Sequence, residues 1–143
     1  MGKLSRTKGK VFERRVASAL RARWPDAEIR RSSQAERAYE ADVFARGAPV
    51  LERLWLELQD ARNPTPLAKL EQAERDVSLR RHQDQRYPVV VWHRIRERVE
   101  WVTTRLWVVD WLRYGHGYPD VRQSSLVVTM ELDEFVTMLK GAR

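Results

Sequence analysis

A chain of 143 residues with 27 basic and 20 acidic side chains carries a formal charge of +7, a balance that favours a polyanionic partner, nucleic acid first and an anionic membrane surface second. The absence of cysteine excludes disulfides, thiolate metal sites and a cysteine nucleophile, which leaves carboxylates and three histidines for metal or acid–base chemistry and points to hard, oxygen-preferring metals. No apolar run approaches the roughly 20 residues that span a bilayer, and Met1-Gly2-Lys3-Leu4-Ser5-Arg6 has no apolar leader, so the expectation is one soluble, cytoplasmic domain with no membrane span.

Lys8 to Arg23 reads as a helix, because Phe12, Val16, Ala19 and Leu20 make one apolar stripe before Pro25 stops it. Strands are predicted at Glu28 to Arg31, Tyr39 to Ala45 and Arg53 to Gln59, with the polar stretch Ser32 to Arg37 between the first two and a turn at Arg46-Gly47-Ala48-Pro49. Thr65 is the expected N-cap, with Pro66 at the first helical position, of a helix running on Leu67, Leu70, Glu74 and Val77 to about Arg81. Tyr87 to His93 and Val99 to Val108 follow as strands joined by the charged tip Arg94-Ile95-Arg96-Glu97-Arg98. The tail holds a short segment near Asp110 to Tyr114, a Gly/Pro loop, a strand at Leu126 to Met130 and a helix from Asp133 to Leu139. This order predicts an α/β fold, a mixed sheet flanked by helices, with a core over about 8–107 and a small C-terminal extension over about 108–143.

Side chains two apart on a strand share a face, which groups Trp55 with Glu57 and Gln59, sets Leu54, Leu56 and Leu58 opposite, and aligns Glu40, Asp42 and Phe44. Carboxylates in apolar strands are costly to bury alone and become favourable when a divalent cation neutralises two or three together. Asp42 and Glu57 fit such a pair; the same spacing also fits exposed strand ends in ordinary ion pairs with nearby arginines. Trp55, Trp92, Trp101 and Trp107 lie inside strand patterns and read as core or dimer-interface residues ahead of base-stacking ones, while Arg94, Arg96 and Arg98 read as a solvated face. His82, His93 and His116 have no mutual metal-ligand spacing and are assigned no chemistry.

Lys8-Gly9-Lys10-Val11-Phe12-Glu13-Arg14, then Asp42, Glu57-Leu58-Gln59, a helix with Leu70-Glu71-Gln72-Ala73 and the strand Pro88-Val89-Val90-Val91 together resemble the PD-(D/E)XK nuclease superfamily. The Lys-Gly-x-x-Phe-Glu-Arg opening is most similar to archaeal-type Holliday junction resolvases, which also occur in phages; the resemblance spans roughly residues 8–107. It implies a restriction-endonuclease-like sheet and a metal-dependent endodeoxyribonuclease that resolves four-way DNA junctions by paired phosphodiester hydrolysis, as a homodimer. It further implies that Glu13, Asp42, Glu57 and the Leu58 carbonyl hold Mg²⁺, with Mn²⁺ as a substitute, and that the metal activates water and stabilises the pentavalent phosphate. The chain departs from the pattern at Gln59, where the family has a lysine that orients the attacking water and adds positive charge. A glutamine can hydrogen-bond water but brings no charge. Lys69 on the following helix, with Gln72 one turn on, is the candidate to return an ammonium, although a solvated helix lysine fits the same position.

Ser32 and Ser33 occupy the loop where archaeal resolvases carry a serine near the scissile phosphate. Arg6, Lys8, Lys10, Arg14, Arg30, Arg31, Arg37 and Arg62 surround the candidate site in sequence and are expected to contact DNA phosphates, which position a duplex without reading its bases. Three other readings stay open: a nuclease of the same fold for flaps, ends or duplex DNA; a DNA-binding module that lost its chemistry with the lysine; and a basic protein bound to an acidic protein or membrane through residues 8–23.

Overall fold

Helix α1 (Gly2–Arg23) buries Phe12, Val16, Ala17 and Leu20, so Ala17 takes the place in the apolar stripe expected of Ala19. The computed structural model describes residues 2–80, 86–115 and 125–141, with side chains from Gly9 onward except that of Ala38. The side chains of Arg6 and Lys8, together with His82, His116 and most of the expected Gly/Pro loop, lie outside the described residues. Arg21 at the end of α1 donates to the Ile29 carbonyl at 2.6 Å and ties the helix to strand β1 (Glu28–Arg31).

β1 pairs antiparallel with β2 (Val43–Arg46) in a separate two-stranded ribbon. β2 starts later than predicted because the chain is still turning over Tyr39 to Asp42 after a 3-10 turn at Glu36–Ala38. That turn is fixed by a reciprocal Ser-x-x-Glu cap: the Glu36 N–H donates to Ser33 Oγ at 3.3 Å, and the Ser33 N–H donates to the Glu36 carboxylate at 2.7 Å. Gly47, in the left-handed region at φ 87°, turns the chain into a single-turn helix α2 (Pro49–Glu52) that the sequence reading lacked.

β3 (Leu54–Ala61), α3 (Pro66–Leu79) and β4 (Tyr87–Arg94) form a βαβ unit with parallel strands. β5 (Glu100–Arg105) and β6 (Val127–Glu131) add antiparallel, giving a four-stranded mixed sheet in the order β3-β4-β5-β6. The strand predicted to reach Val108 ends at Arg105. From there Val108, Val109 and Leu112 bury at helical spacing in α4 (Leu106–Tyr114), which outweighs the β preference of its valines and tryptophans. Gly115, at φ 71°, closes α4 by donating its N–H to the Trp111 carbonyl at 2.9 Å. Thr65 stands at the N-cap of α3 as expected, but its side chain does not cap the helix.

The sheet is flanked on both sides. Leu54, Leu56 and Leu58 face the main core with α1, α4 and α5 (Leu132–Gly141), while Trp55 packs with Ala41 and with Ala73 of α3 on the opposite face. The expected C-terminal extension is therefore part of the body of the fold: β6 completes the sheet, and Val108, Leu112, Leu132, Phe135, Val136 and Leu139 share one core with Phe12 and Val16. Among the described residues no helix is long and apolar enough to cross a membrane.

Phe135, 2 % exposed, gives a direct measure of this integration. Phe135→Ala is expected to cost about 3 to 5 kcal/mol in urea unfolding, the loss typical of a buried phenylalanine. A cost below about 1 kcal/mol would make the C-terminal segment peripheral after all.

Candidate active site

β3 is an edge strand of the four-stranded sheet, and its outer edge meets the segment that leads into β2. The Asp42 N–H donates to the Leu56 carbonyl at 3.1 Å, and the Leu58 N–H donates to Asp42 Oδ2 at 2.8 Å. A strand residue sends its N–H and C=O to the same edge, so the Leu58 carbonyl leaves β3 on the side of the Asp42 carboxylate. Ser32 holds this segment from behind: its N–H donates to the Asp42 carbonyl at 2.9 Å and its hydroxyl to the Ala41 carbonyl at 2.5 Å.

Glu57 projects from the other face of β3, beneath α3. Its carboxylate accepts the Trp55 indole N–H at 2.7 Å and lies 3.2 Å from the Lys69 ammonium. Trp55 is itself covered by cations, with the guanidinium of Arg86 at 4.7 Å and that of Arg80 at 5.2 Å from the ring centroid, and Arg86 pairs with Glu40. This wall of charge around Glu57 had no local signal in the sequence.

The two carboxylates interact strongly. Burial, and after it the charge of Glu57, push Asp42 up to about 7, with Glu13 adding to the rise while the Leu58 N–H and Lys69 oppose it. Arg37 feels the same cluster from the cationic side: burial works against its charge, yet the bond to Glu13 and the fields of Glu13, Asp42 and Glu57 raise its pKa.

Glu13 acts on this site through its charge, which adds to the rise at Asp42, but its own carboxylate is engaged by arginines. Its carboxylate sits between Arg31, whose Nε is 2.9 Å away, and Arg37. Among the described residues no three acidic or histidine side chains stand close enough together to hold a metal ion. Asp42 and Glu57 stand together with the Leu58 carbonyl beside them, while Glu13, the third carboxylate of the expected set, is engaged by Arg31 and Arg37. Mutual repulsion gives the reason, since two arginines neutralise the third carboxylate more favourably than two further anions do. The pair and the carbonyl offer the hard oxygen donors that suit Mg²⁺.

Gln59 does not aim at the site as a stand-in for lysine. Its amide donates to Thr65 Oγ1 at 3.2 Å and accepts the Thr65 N–H at 3.0 Å, which fastens the start of α3 to β3. Lys69, one turn into that helix, is the ammonium that reaches Glu57.

The candidate DNA contacts divide. Gly9, Lys10, Glu13, Arg31, Gln34 and Arg37 line a polar cleft of about 500 Å³ that opens onto Glu13. Arg14 and Arg62 are exposed. Arg30 is committed to Glu36 through two bonds of 2.8 Å and lies over Phe44, Ser33 caps the 3-10 turn, and Ser32 is fully buried with its hydroxyl engaged. Full burial takes Ser32 out of reach of a phosphate, whereas Ser33 is exposed and Arg30 partly so. His93, given no role from sequence, bonds Asp60 through Nδ1 at 2.9 Å and the Glu97 carbonyl through Nε2 at 2.6 Å, on the sheet face away from Glu57. No family model, curated protein or solved structure matches this chain.

The raised Asp42 pKa has a definite sign in stability. Between about pH 4 and 7 the folded protein holds a proton that the unfolded chain has released, so the contribution of Asp42 is most favourable below the unfolded pKa and is lost as pH rises through the folded one. Asp42→Asn keeps an acceptor for the Leu58 N–H without the charge. It is expected to raise Tm at pH 8 by roughly 3 °C, about 1 kcal/mol, with the gain vanishing near pH 4. Calorimetry showing equal Tm for both proteins at pH 8 would contradict the electrostatic account.

Proposed function

We propose that this protein is a Mg²⁺-dependent, structure-specific endodeoxyribonuclease of the PD-(D/E)XK kind that cuts four-way DNA junctions as a homodimer. The observation that supports the reading is Asp42, held by the Leu58 N–H, within the field of Glu57, with Lys69 3.2 Å from Glu57 and Arg37 of the Glu13 cleft feeling the charge of all three carboxylates. A structural ion pair explains Lys69–Glu57 alone. It does not explain a second carboxylate kept beside Glu57 at the cost of a pKa near 7.

Asp42, Glu57 and the Leu58 carbonyl would hold the metal, with Mn²⁺ able to replace Mg²⁺. Bound there, the cation supplies a field that acidifies a water molecule and offsets charge on the phosphate under attack. Holding the metal would require Asp42 in its ionised form, so metal affinity is expected to rise with pH through about 7. Lys69 places a positive charge beside Glu57, in the role the motif lysine has in the resembled pattern. Lys10 and Arg14 are exposed on α1 near the cleft and suit contacts to backbone phosphates. Two such sites related by a two-fold axis match the two symmetric strands of a junction.

A second reading, a DNA-binding module without chemistry, is favoured by two observations: Gln59 is tied to Thr65, and Glu13 is held by arginines. One assay separates them. In Mg²⁺ or Mn²⁺ the protein is expected to nick a synthetic four-way junction at paired, symmetric positions, in preference to flaps or linear duplex at matched salt. Asp42→Asn and Glu57→Gln should each lower the rate at least about 100-fold with binding in Ca²⁺ retained, and Lys69→Ala should lower it about 10- to 100-fold. Undiminished cleavage by both carboxylate variants would remove this site from consideration, and tight binding with no cleavage in either metal would establish the silent module.

A further inference from the structure

We propose, resting on the nuclease reading, that the β4–β5 hairpin and the Trp92–Trp101 pair at its foot form a platform for unpaired nucleotides beside the cleavage site. Strand register sets the placement. Glu57, Val90, Thr103 and Thr129 make one row across the sheet, and Gln59, Trp92, Trp101 and Glu131 make the next row on the same face. Trp92 thus stands about 5 Å across from Gln59 and roughly 7 to 8 Å diagonally from Glu57. Arg94 continues this face of β4 two residues further on, at the hairpin.

The two rings differ from Trp55 of β3 and Trp107 of α4. Trp55 lies in the small core under α3 and Trp107 packs on the main core, whereas Trp92 and Trp101 join neither and remain half-buried. They stack on each other, with centroids 6.1 Å apart and planes at 24°. The Trp92 indole N–H donates to Thr103 Oγ1 at 2.9 Å, and that hydroxyl bonds Thr129 Oγ1 at 2.8 Å, so the ring is oriented before any ligand arrives. A pre-set aromatic pair on a polar face is suited to base stacking, which tolerates any base because each has a π-face.

Charge completes the case for a nucleotide over an apolar partner. Arg94, Arg96 and Arg98 are all exposed, and Arg94 pairs loosely with Glu97 at 3.6 Å. Arg96 adopts φ 79°, a left-handed conformation that glycine takes without strain, so an arginine stands at the tip in spite of the backbone cost. Exposed Glu131 ends the tryptophan row on the β6 side and repels phosphate, which directs a backbone along the arginine side of the pair. Bases in an intact duplex are already stacked, so the platform selects bases splayed from a branch point or single strand.

The test uses the full chain in Ca²⁺, which allows binding to be measured apart from cleavage, and a junction carrying 2-aminopurine at an unpaired branch position. Binding should quench the probe. Trp92→Leu and Trp101→Leu should each weaken binding of branched and single-stranded DNA about 5- to 50-fold while duplex affinity changes less than about twofold; the Phe variants should retain most of it. Arg94→Ala with Arg96→Gly and Arg98→Ala should lower the slope of log K against log salt by about 1 to 3. Unchanged probe fluorescence on the bound wild-type protein overturns the platform whether or not the leucine variants fold. Leucine variants that melt normally and bind branched DNA like wild type overturn it too, as does a Trp101→Leu monomer with unaltered affinity per subunit, which would assign the pair to an interface between copies. A wild-type protein that binds no DNA overturns the nuclease reading itself, an outcome distinct from all of these.

Discussion

The amide of Leu58 donating to the Asp42 carboxylate across the open edge of β3 is the constraint on which the site depends. Without it, a buried aspartate close to Glu57 would be driven off by desolvation and like-charge repulsion. With it, the carboxylate is pinned to a sheet edge whose position is fixed by a parallel ladder to β4 and by the leucines that β3 sends into the main core. The rigid part of the molecule thus holds two carboxyl groups together, at the expense of a raised Asp42 pKa.

Helix α3 supplies the opposing charge, and its placement is as firmly set. The paired bonds between Gln59 and Thr65 fix where the helix leaves the strand, Ala73 packs on Trp55, and Glu74 holds Arg105 of β5 through bonds of 2.7 and 2.8 Å. Those contacts determine the rotation of α3 about its axis, and the rotation determines that Lys69 meets Glu57. The strand position that carries lysine in the resembled pattern is used here as a fastening, while the helix delivers the ammonium.

Much of this was legible in the sequence where one periodicity or one turn residue decides the outcome. The stripe of Phe12, Val16 and Leu20, the alternation through Trp55, Glu57 and Gln59, and Thr65-Pro66 at the start of α3 all emerge from local pattern. The limit of β5 did not, because Leu106 to Val109 is rich in strand-preferring residues and becomes helical only through tertiary burial. The Ser33-x-x-Glu36 pattern is local as well, and its two reciprocal bonds hold the 3-10 turn before β2. The partners of the charged groups were beyond reach, since Glu13 meets Arg31 and Arg37 at separations of 18 and 24 residues, and Glu40 meets Arg86 at 46. Ion pairing over such distances follows from the fold and leaves no spacing to read.

The double arginine contact of Glu13 carries a consequence for traffic through the cleft. A guanidinium offers its fork to one oxyanion group at a time with full effect, so a phosphate entering the cleft would be a rival of the Glu13 carboxylate for Arg31 and Arg37. Under the proposed nuclease reading, a phosphate that won the exchange would set a carboxylate loose next to Asp42 and Glu57. Occupancy by a polyanion and the number of oxygen donors open to a cation would then be coupled through a single side chain.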